Sequence, residues 1–410
     1  MLRLQFVALL LAVGSTILAA QEPSDTNYDE TKIPSYELPN PLIDNGGQSV
    51  GRDEWVAYRR AEVQRLLEDS VYGRTPSRKL AVRYQLIDAD PSALDGRATR
   101  KQIAAFFGEN EYRLDILLYI PNKPKVPVAG FVGMNFNSNH TVHADSGIIK
   151  RGTEKARGAS ASRWQVETII DRGYALATIH RDQVDPDNYR NDFTDGIHPL
   201  FYGKGQTKPK PTEWGSIGAW AWALSRVLDY LETDEQVDAS RIAVIGHSRL
   251  GKTALWAGAQ DTRFAMVISN NSGCGGAALY RRCYGERIHH MIKPVGYWFC
   301  TNHHQYQKRE FELPVDQHML MALVAPRPLY IASATNDRWA DPKGEFLAAK
   351  HASPVYELFD QPALLEYEFP KPDHPIHSAI GYHLRRGDHD VTAYDWSQYL
   401  KFADRNLKKD

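Results

Sequence analysis

The residues most able to do chemistry centre on Ser248. It lies in the run Arg241-Ile-Ala-Val-Ile-Gly246-His247-Ser248-Arg249-Leu250-Gly251-Lys252, where a short apolar stretch ends in glycine and a helix-suited stretch begins. A serine at a sharp turn from strand to helix has its hydroxyl lifted above the sheet edge. The first amides of the helix then face a developing oxyanion. A serine hydroxyl is a poor nucleophile near neutral pH, so acyl transfer needs a histidine base and a third group to orient it. The base is expected at His389, in Gly387-Asp388-His389-Asp390, a loop ahead of the C-terminal helix; His374, His377 and His383 lie nearby and read as structural. The acid is expected at Asp337, just beyond the strand Leu329–Ala334, ahead of Asp341. Either aspartate also reads as a helix cap before Pro342.

These groups need a sheet whose strands end on one edge. Buried runs predict strands at Val128–Phe136, Tyr174–Ile179, Ile242–Ile245, Ala265–Ser269, Leu329–Ala334 and Leu365–Phe369. They are separated by helical stretches such as Ser216–Leu231 and followed by a terminal helix over Trp396–Asn406. Alternating runs at Leu80–Ile87, Lys101–Phe107 and Tyr112–Ile120 predict antiparallel strands before them, and Trp55–Val71 has helical spacing. The pattern predicts an α/β-hydrolase fold, a mostly parallel twisted sheet with helices on both faces in a three-layer αβα sandwich. The chain order serine, acid, histidine is the order of that fold. The elbow departs from G-x-S-x-G, because Leu250 takes the last position and glycine follows at Gly251.

Residues 1–20 read as a signal peptide, with Arg3 ahead of an apolar run and Ala19-Ala20 before a polar stretch. This predicts a secreted or periplasmic protein with no membrane association once the leader is removed. Residues 21–51, rich in Pro, Asn, Asp and Gly, are expected to wrap the surface, and 52–410 to form a single catalytic domain. The 410 residues are 42% hydrophobic and 24% charged with a formal net charge of -1, an ordinary globular balance. Near-neutral charge gives no basic surface for nucleic acid. Cys274, Cys283 and Cys300 match no zinc spacing, and an oxidising compartment would let two of them pair. No metal or organic cofactor is expected, and the protein is expected to be monomeric.

Several separated blocks resemble the glucuronoyl esterases of carbohydrate esterase family 15, from about Gly130 to the C-terminus. They are Gly246-His-Ser-Arg-Leu-Gly-Lys252, Asn270-Asn-Ser-Gly-Cys-Gly-Gly276, Leu313-Pro-Val-Asp-Gln-His318, Ala325-Pro-Arg-Pro-Leu-Tyr-Ile-Ala332 and Gly387-Asp-His-Asp-Val-Thr392. The family's elbow reads Ser-Arg-x-Gly-Lys, which accounts for the displaced glycine. The resemblance implies hydrolysis of the ester joining (4-O-methyl-)glucuronic acid of xylan to lignin alcohols. It further implies that Arg249 stabilises the oxyanion through its amide and guanidinium, and that Lys252, Glu286 and Trp339 bind the glucuronate sugar. Some members carry the acid at the position of Asn271; this chain resembles those with the acid where Asp337 stands. Two other readings compete. An acetyl xylan esterase or other carbohydrate deacetylase would share the triad without needing Lys252, Glu286 and Trp339. A noncatalytic carbohydrate-binding protein would share only the fold.

Overall fold

In a computed structural model of the chain, the described residues are 23–408 apart from 110–111, 124–126, 153–154 and 189–191. The leader expected over 1–20 lies outside them. The strands are β1 (Val82–Ser92), β2 (Ala98–Phe107), β3 (Tyr112–Pro121), β4 (Val128–Asn135), β5 (Ala175–His180), β6 (Val237–His247), β7 (Met266–Asn270), β8 (Leu329–Ala334), β9 (Ile376–His377) and β10 (Ile380–Arg385). They form one sheet in the order β1-β2-β3-β5-β4-β6-β7-β8-β10-β9. Pairing is antiparallel from β1 through β3 to β5, parallel from β5 to β10, and antiparallel again for β9. This is the α/β-hydrolase architecture.

Side chains two apart on a strand share a face, and the central strands use both faces. On β6, Ile242 and Val244 pack into one apolar cluster with Trp220, Leu224 and Leu255 of the helices Ser216–Leu231 and Arg249–Gln260. Ala243 and Ile245 face the other way, toward Ile169, Trp396 and Phe402 of the helices Val166–Asp171 and Ala393–Asn406. A strand buried on both faces needs a continuous apolar run, which is why the Ile-Ala-Val-Ile stretch was legible. Residues 52–72 are helical, with α-helix over Arg60–Leu67 and wider turns on both sides. Residues 23–51 are mostly irregular, with one short 3-10 helix at Glu30–Lys32. No helix among the described residues is long and apolar enough to cross a membrane.

One strand expectation fails. Leu365–Phe369 is not a strand; Tyr367 N–H turns back to the Leu364 carbonyl at 3.0 Å, and Lys350 Nζ takes the Tyr367 carbonyl at 2.7 Å. Pro362, Pro370, Pro372 and Pro375 crowd the segment and remove the donors a ladder would use. The strand beside β8 is instead Ile380–Arg385, whose apolar run is interrupted by His383 and Arg385. Both polar side chains are buried because Asp395, itself buried, receives them. His383 Nε2 lies 2.8 Å from Asp395 Oδ1, and Arg385 Nε donates to Oδ2 at 2.8 Å. Removing one member of a buried ion pair leaves the other charge uncompensated. Asp395→Ala is therefore expected to cost about 3–5 kcal/mol of unfolding free energy, read from urea denaturation. A loss below about 1 kcal/mol would place the pair with exposed bridges instead.

Candidate active site

The C-terminal ends of β6, β7, β8 and β10 converge, and each delivers part of the site. After β6 the chain makes a sharp elbow in which Ser248 takes φ 58° and ψ -131°, strained for a residue with a side chain. The turn is so tight that a Cβ on Gly246 would lie 1.8 Å from the Leu250 carbonyl oxygen, so only glycine fits. The Ser248 amide is tied to the Asn270 carbonyl at the end of β7 at 2.9 Å, which couples the elbow to its neighbouring strand. Ser248 caps the helix Arg249–Gln260, whose first amides have no helical carbonyl behind them.

His389 lies in the loop after β10, with its Nδ1 2.6 Å from Asp337 Oδ2. The histidine side chain is 43% exposed and the aspartate only 5%. The His389 ring packs against His247, the residue before Ser248, with ring centroids 4.5 Å apart. Arg385 shapes the loop: its Nη2 donates to the carbonyls of Asp388 and Asp390, the two residues flanking His389, at 2.7 and 2.5 Å. His247 is buried and donates from Nδ1 to Asn270 Oδ1 at 2.6 Å; Asn270 Nδ2 continues to Tyr399 Oη at 2.7 Å and Asp395 at 3.3 Å. Burial, with the His389 ring nearby, pushes the His247 imidazole well below its ordinary range, so it is neutral. Burial would raise the Asp395 carboxyl, but the bonds from His383, Arg385 and Thr392 hold it below its usual value.

Asp341 does not compete for His389. It caps the helix Pro342–Glu357 by accepting from Gly344 N–H at 2.9 Å, and it pairs with Arg282 at 2.8 Å. His383 is walled in by Asp395 and Tyr330, and His374 bonds the Pro372 carbonyl at the surface. Asn271, where some relatives are expected to carry the acid, donates from Nδ2 to Asp337 Oδ2 at 2.7 Å. The two candidate acid positions thus meet at one oxygen, shared by the Asn271 amide and the His389 ring. Cys274, Cys283 and Cys300 are all buried and unpaired.

Arg249 and Lys252 are held by neighbours that the sequence did not reveal. Arg249 Nη1 donates to Asp187 Oδ2 at 2.5 Å, and its guanidinium lies 4.7 Å from the Trp298 ring and 5.6 Å from Phe136. Asp187 is 1% exposed and also accepts from Arg181, Tyr297 Oη and Trp298 Nε1. Arg249 Nε is a buried donor with no partner among the described residues. Lys252 Nζ is buried and donates to the Ser272 and Cys274 carbonyls at 2.7 and 2.5 Å, leaving its third proton toward Glu286 at 3.4 Å. Glu286 N–H in turn donates to the Trp339 carbonyl at 2.8 Å, so Lys252, Glu286 and Trp339 form one connected wall. The irregular loop around Asp187 carries no local signal of it, and Trp298 is marked in the sequence only by its place in the aromatic run Tyr297-Trp298-Phe299.

The comparisons with known proteins fit this geometry. A family model described as fungal glucuronyl esterase matches residues 164–360. A carbohydrate esterase from an unknown prokaryotic organism is 46% identical, with 98% of each chain covered. The chain belongs to carbohydrate esterase family 15, the glucuronoyl esterases. A solved glucuronoyl esterase from Solibacter usitatus is 45% identical with a TM-score of 0.89, covering 92% of this chain and all of that one. A structure described as a promiscuous esterase of the same family from a marine bacterial metagenome is 46% identical with a TM-score of 0.87, covering 93% and 100%. This esterase is thus a carboxylic ester hydrolase on an α/β-hydrolase fold.

Behind the wall of the esterase lies Glu345, fully buried, which accepts from Gly273 N–H at 2.9 Å and from Ser333 Oγ at 2.5 Å. Burial, reinforced by the charge of Asp337, pushes its carboxyl up to about 8 from an ordinary 4.5. The folded state therefore keeps a proton that the unfolded chain has lost. That contribution is complete below the unfolded value and is lost as pH rises toward the folded one. Glu345→Gln removes the titration. Its Tm relative to wild type is expected to climb between roughly pH 5 and pH 8 and then level off. A pH-independent difference would mean that Glu345 folds already ionised.

Proposed function

We propose that this esterase cleaves the ester joining the carboxyl of (4-O-methyl-)glucuronic acid on xylan to a lignin alcohol, through an acyl-enzyme on Ser248. The observation that carries the reading is the His389–Asp337 pair beside the Ser248 elbow, together with a wall in which Lys252, Glu286 and Trp339 are joined. Asp337 accepts the hydrogen bond of the His389 Nδ1–H and holds the tautomer that leaves Nε2 as the base. Ser248 Oγ attacks the ester carbonyl carbon while its proton passes to His389 Nε2. The oxyanion of the tetrahedral intermediate is met by the Arg249 amide and guanidinium, whose buried Nε has no partner among the described residues. The intermediate collapses as His389 protonates the departing alcohol oxygen. Water then repeats the sequence, giving its proton to His389 and freeing the uronic acid.

Selectivity is assigned to the acid half. A donor from Lys252 and the accepting carboxylate of Glu286 meet sugar hydroxyls and reject analogues lacking them, because the buried polar groups are then left unpaired. The leaving alcohol meets the side of His389, which is open to solvent. We further propose that residues 1–20 direct export, so that the enzyme meets its polymeric substrate outside the cytoplasm.

The test is hydrolysis of benzyl glucuronate and of an acetylated xylo-oligosaccharide by wild type, Ser248→Ala and Asp337→Asn. Benzyl glucuronate is expected to be the better substrate. Ser248→Ala should lower its kcat about 10⁶-fold and Asp337→Asn about 10⁴-fold. Preference for the acetyl ester would assign the protein to the carbohydrate deacetylases and remove the sugar roles. Equal turnover by Ser248→Ala and wild type would sink the mechanism.

A further inference from the structure

The wall formed by Glu286 and Trp339 is built from two loops, and a third segment holds them from outside. Residues 25–30, near the start of the described chain, run along both. The Asn27 carbonyl accepts from Gly285 N–H at 2.9 Å, one residue before Glu286. The Tyr28 ring stands edge-on to Tyr284 at 5.9 Å and lies under the Arg338 guanidinium at 4.7 Å, one residue before Trp339; Arg338 also bonds the Tyr28 carbonyl. Glu30 pairs with Arg282 at 2.7 Å and Lys343 at 2.9 Å. Every one of these bonds falls within a few residues of Glu286 or Trp339.

The segment's most specific contact is Asp25. Its two carboxylate oxygens receive two adjacent histidines, His289 Nε2 at 2.9 Å on Oδ2 and His290 Nε2 at 3.1 Å on Oδ1. His290 Nδ1 accepts the Arg287 N–H at 3.1 Å, so its proton is on Nε2 and points to Asp25. This tautomer, and Lys308 Nζ 3.4 Å from Asp25 Oδ2, oppose a metal ion between the three groups. The fixed His290 ring lies against Trp339, with centroids 5.2 Å apart and planes 25° apart. A part-exposed indole backed on one face by a stacked ring keeps its orientation and leaves the other face for a flat ligand.

We propose that His290, locked by Asp25, is a specificity-determining part of the sugar wall, and that the 25–30 segment positions Trp339 and Glu286 for the acid half of the substrate. This rests on the glucuronoyl reading above. Asp25 is a positioning residue: it touches no substrate and acts through the His290 ring. Trp339 without its backing samples other rotamers, and the cost of reordering it falls on binding, not on the bond-breaking step at Ser248.

The experiment compares wild type, Asp25→Ala and His290→Phe. Asp25→Ala is expected to raise KM for benzyl glucuronate about tenfold with kcat within about twofold, while turnover of p-nitrophenyl acetate, which lacks the sugar, stays unchanged. His290→Phe keeps a stacked ring against Trp339 and is expected to raise KM less than Asp25→Ala does. An unchanged KM in Asp25→Ala, or a parallel fall with p-nitrophenyl acetate, would overturn the proposal. Hydrogen exchange of the Gly285 and Glu286 amides supplies a readout that needs no substrate. Exchange about tenfold faster in Asp25→Ala supports the positioning role, and equal rates refute it. Should wild type ignore benzyl glucuronate yet cleave p-nitrophenyl acetate, the substrate assignment fails, and the exchange rates still decide whether the segment holds the wall.

Discussion

A carboxylate removed from water must be surrounded by donors, and Asp395 shows how much structure one such requirement can organise. It is fully buried and collects His383, the Arg385 guanidinium, the amide and hydroxyl of Thr392, and the Asn270 amide. Three of these donors reach different working parts. Arg385 turns its remaining N–H groups to the carbonyls on both sides of His389, Thr392 starts the terminal helix, and Asn270 reaches through His247 to the elbow. The base loop and the nucleophile elbow are therefore registered against one another by a single buried charge. The His389 side chain can stay open to solvent because its backbone is fixed from below.

The same economy appears on the other side of the elbow. Asp187 gathers Arg181, Arg249, Tyr297 and Trp298, so the guanidinium beside Ser248 is restrained in plane by a carboxylate and along its faces by aromatic rings. Burial would raise Asp187, but Arg249 and Arg181, with the bonds from Tyr297 and Trp298, hold its carboxyl below the usual range. A charge-paired arginine is a softer cation than a free one. What it offers an oxyanion is chiefly a placed N–H, already oriented before the substrate arrives. Lys252 is treated alike: two backbone carbonyls fix its ammonium and only one proton is directed at the wall.

Much of this was legible in the sequence, and the reasons for the rest are physical. The parallel strands read clearly because burial on both faces demands unbroken apolar runs, as in Ile242–Ile245. The elbow read clearly because a strand, a glycine, a serine and a helix in that order have few other uses. β10 was missed because its two polar residues, His383 and Arg385, are buried against a partner twelve and ten residues downstream, which no local pattern announces. Leu365–Phe369 looked like a strand by hydrophobicity alone, although the prolines around it argue the other way. Asp187 lies 62 residues from Arg249 in sequence, and an aspartate in an irregular loop looks the same whether it holds an arginine or faces water.

The loops that carry the site are joined by ion pairs, while the three cysteines are buried and unpaired. Arg282 with Asp341, and Arg281 and Arg287 with Asp316 and Glu310 of the 310–316 stretch, tie the 280–290 segment to two separate parts of the chain. Such pairs add little net stability over apolar packing, because desolvation offsets most of the attraction. Their value here is directional. A guanidinium bonded at several nitrogens accepts one arrangement of its partners, whereas an apolar contact tolerates many. For a wall that must present Glu286 and Trp339 at a set spacing on otherwise irregular backbone, direction is the quantity the fold needs. Burial also shields these pairs from salt, so the geometry should persist at ionic strengths that screen surface charge.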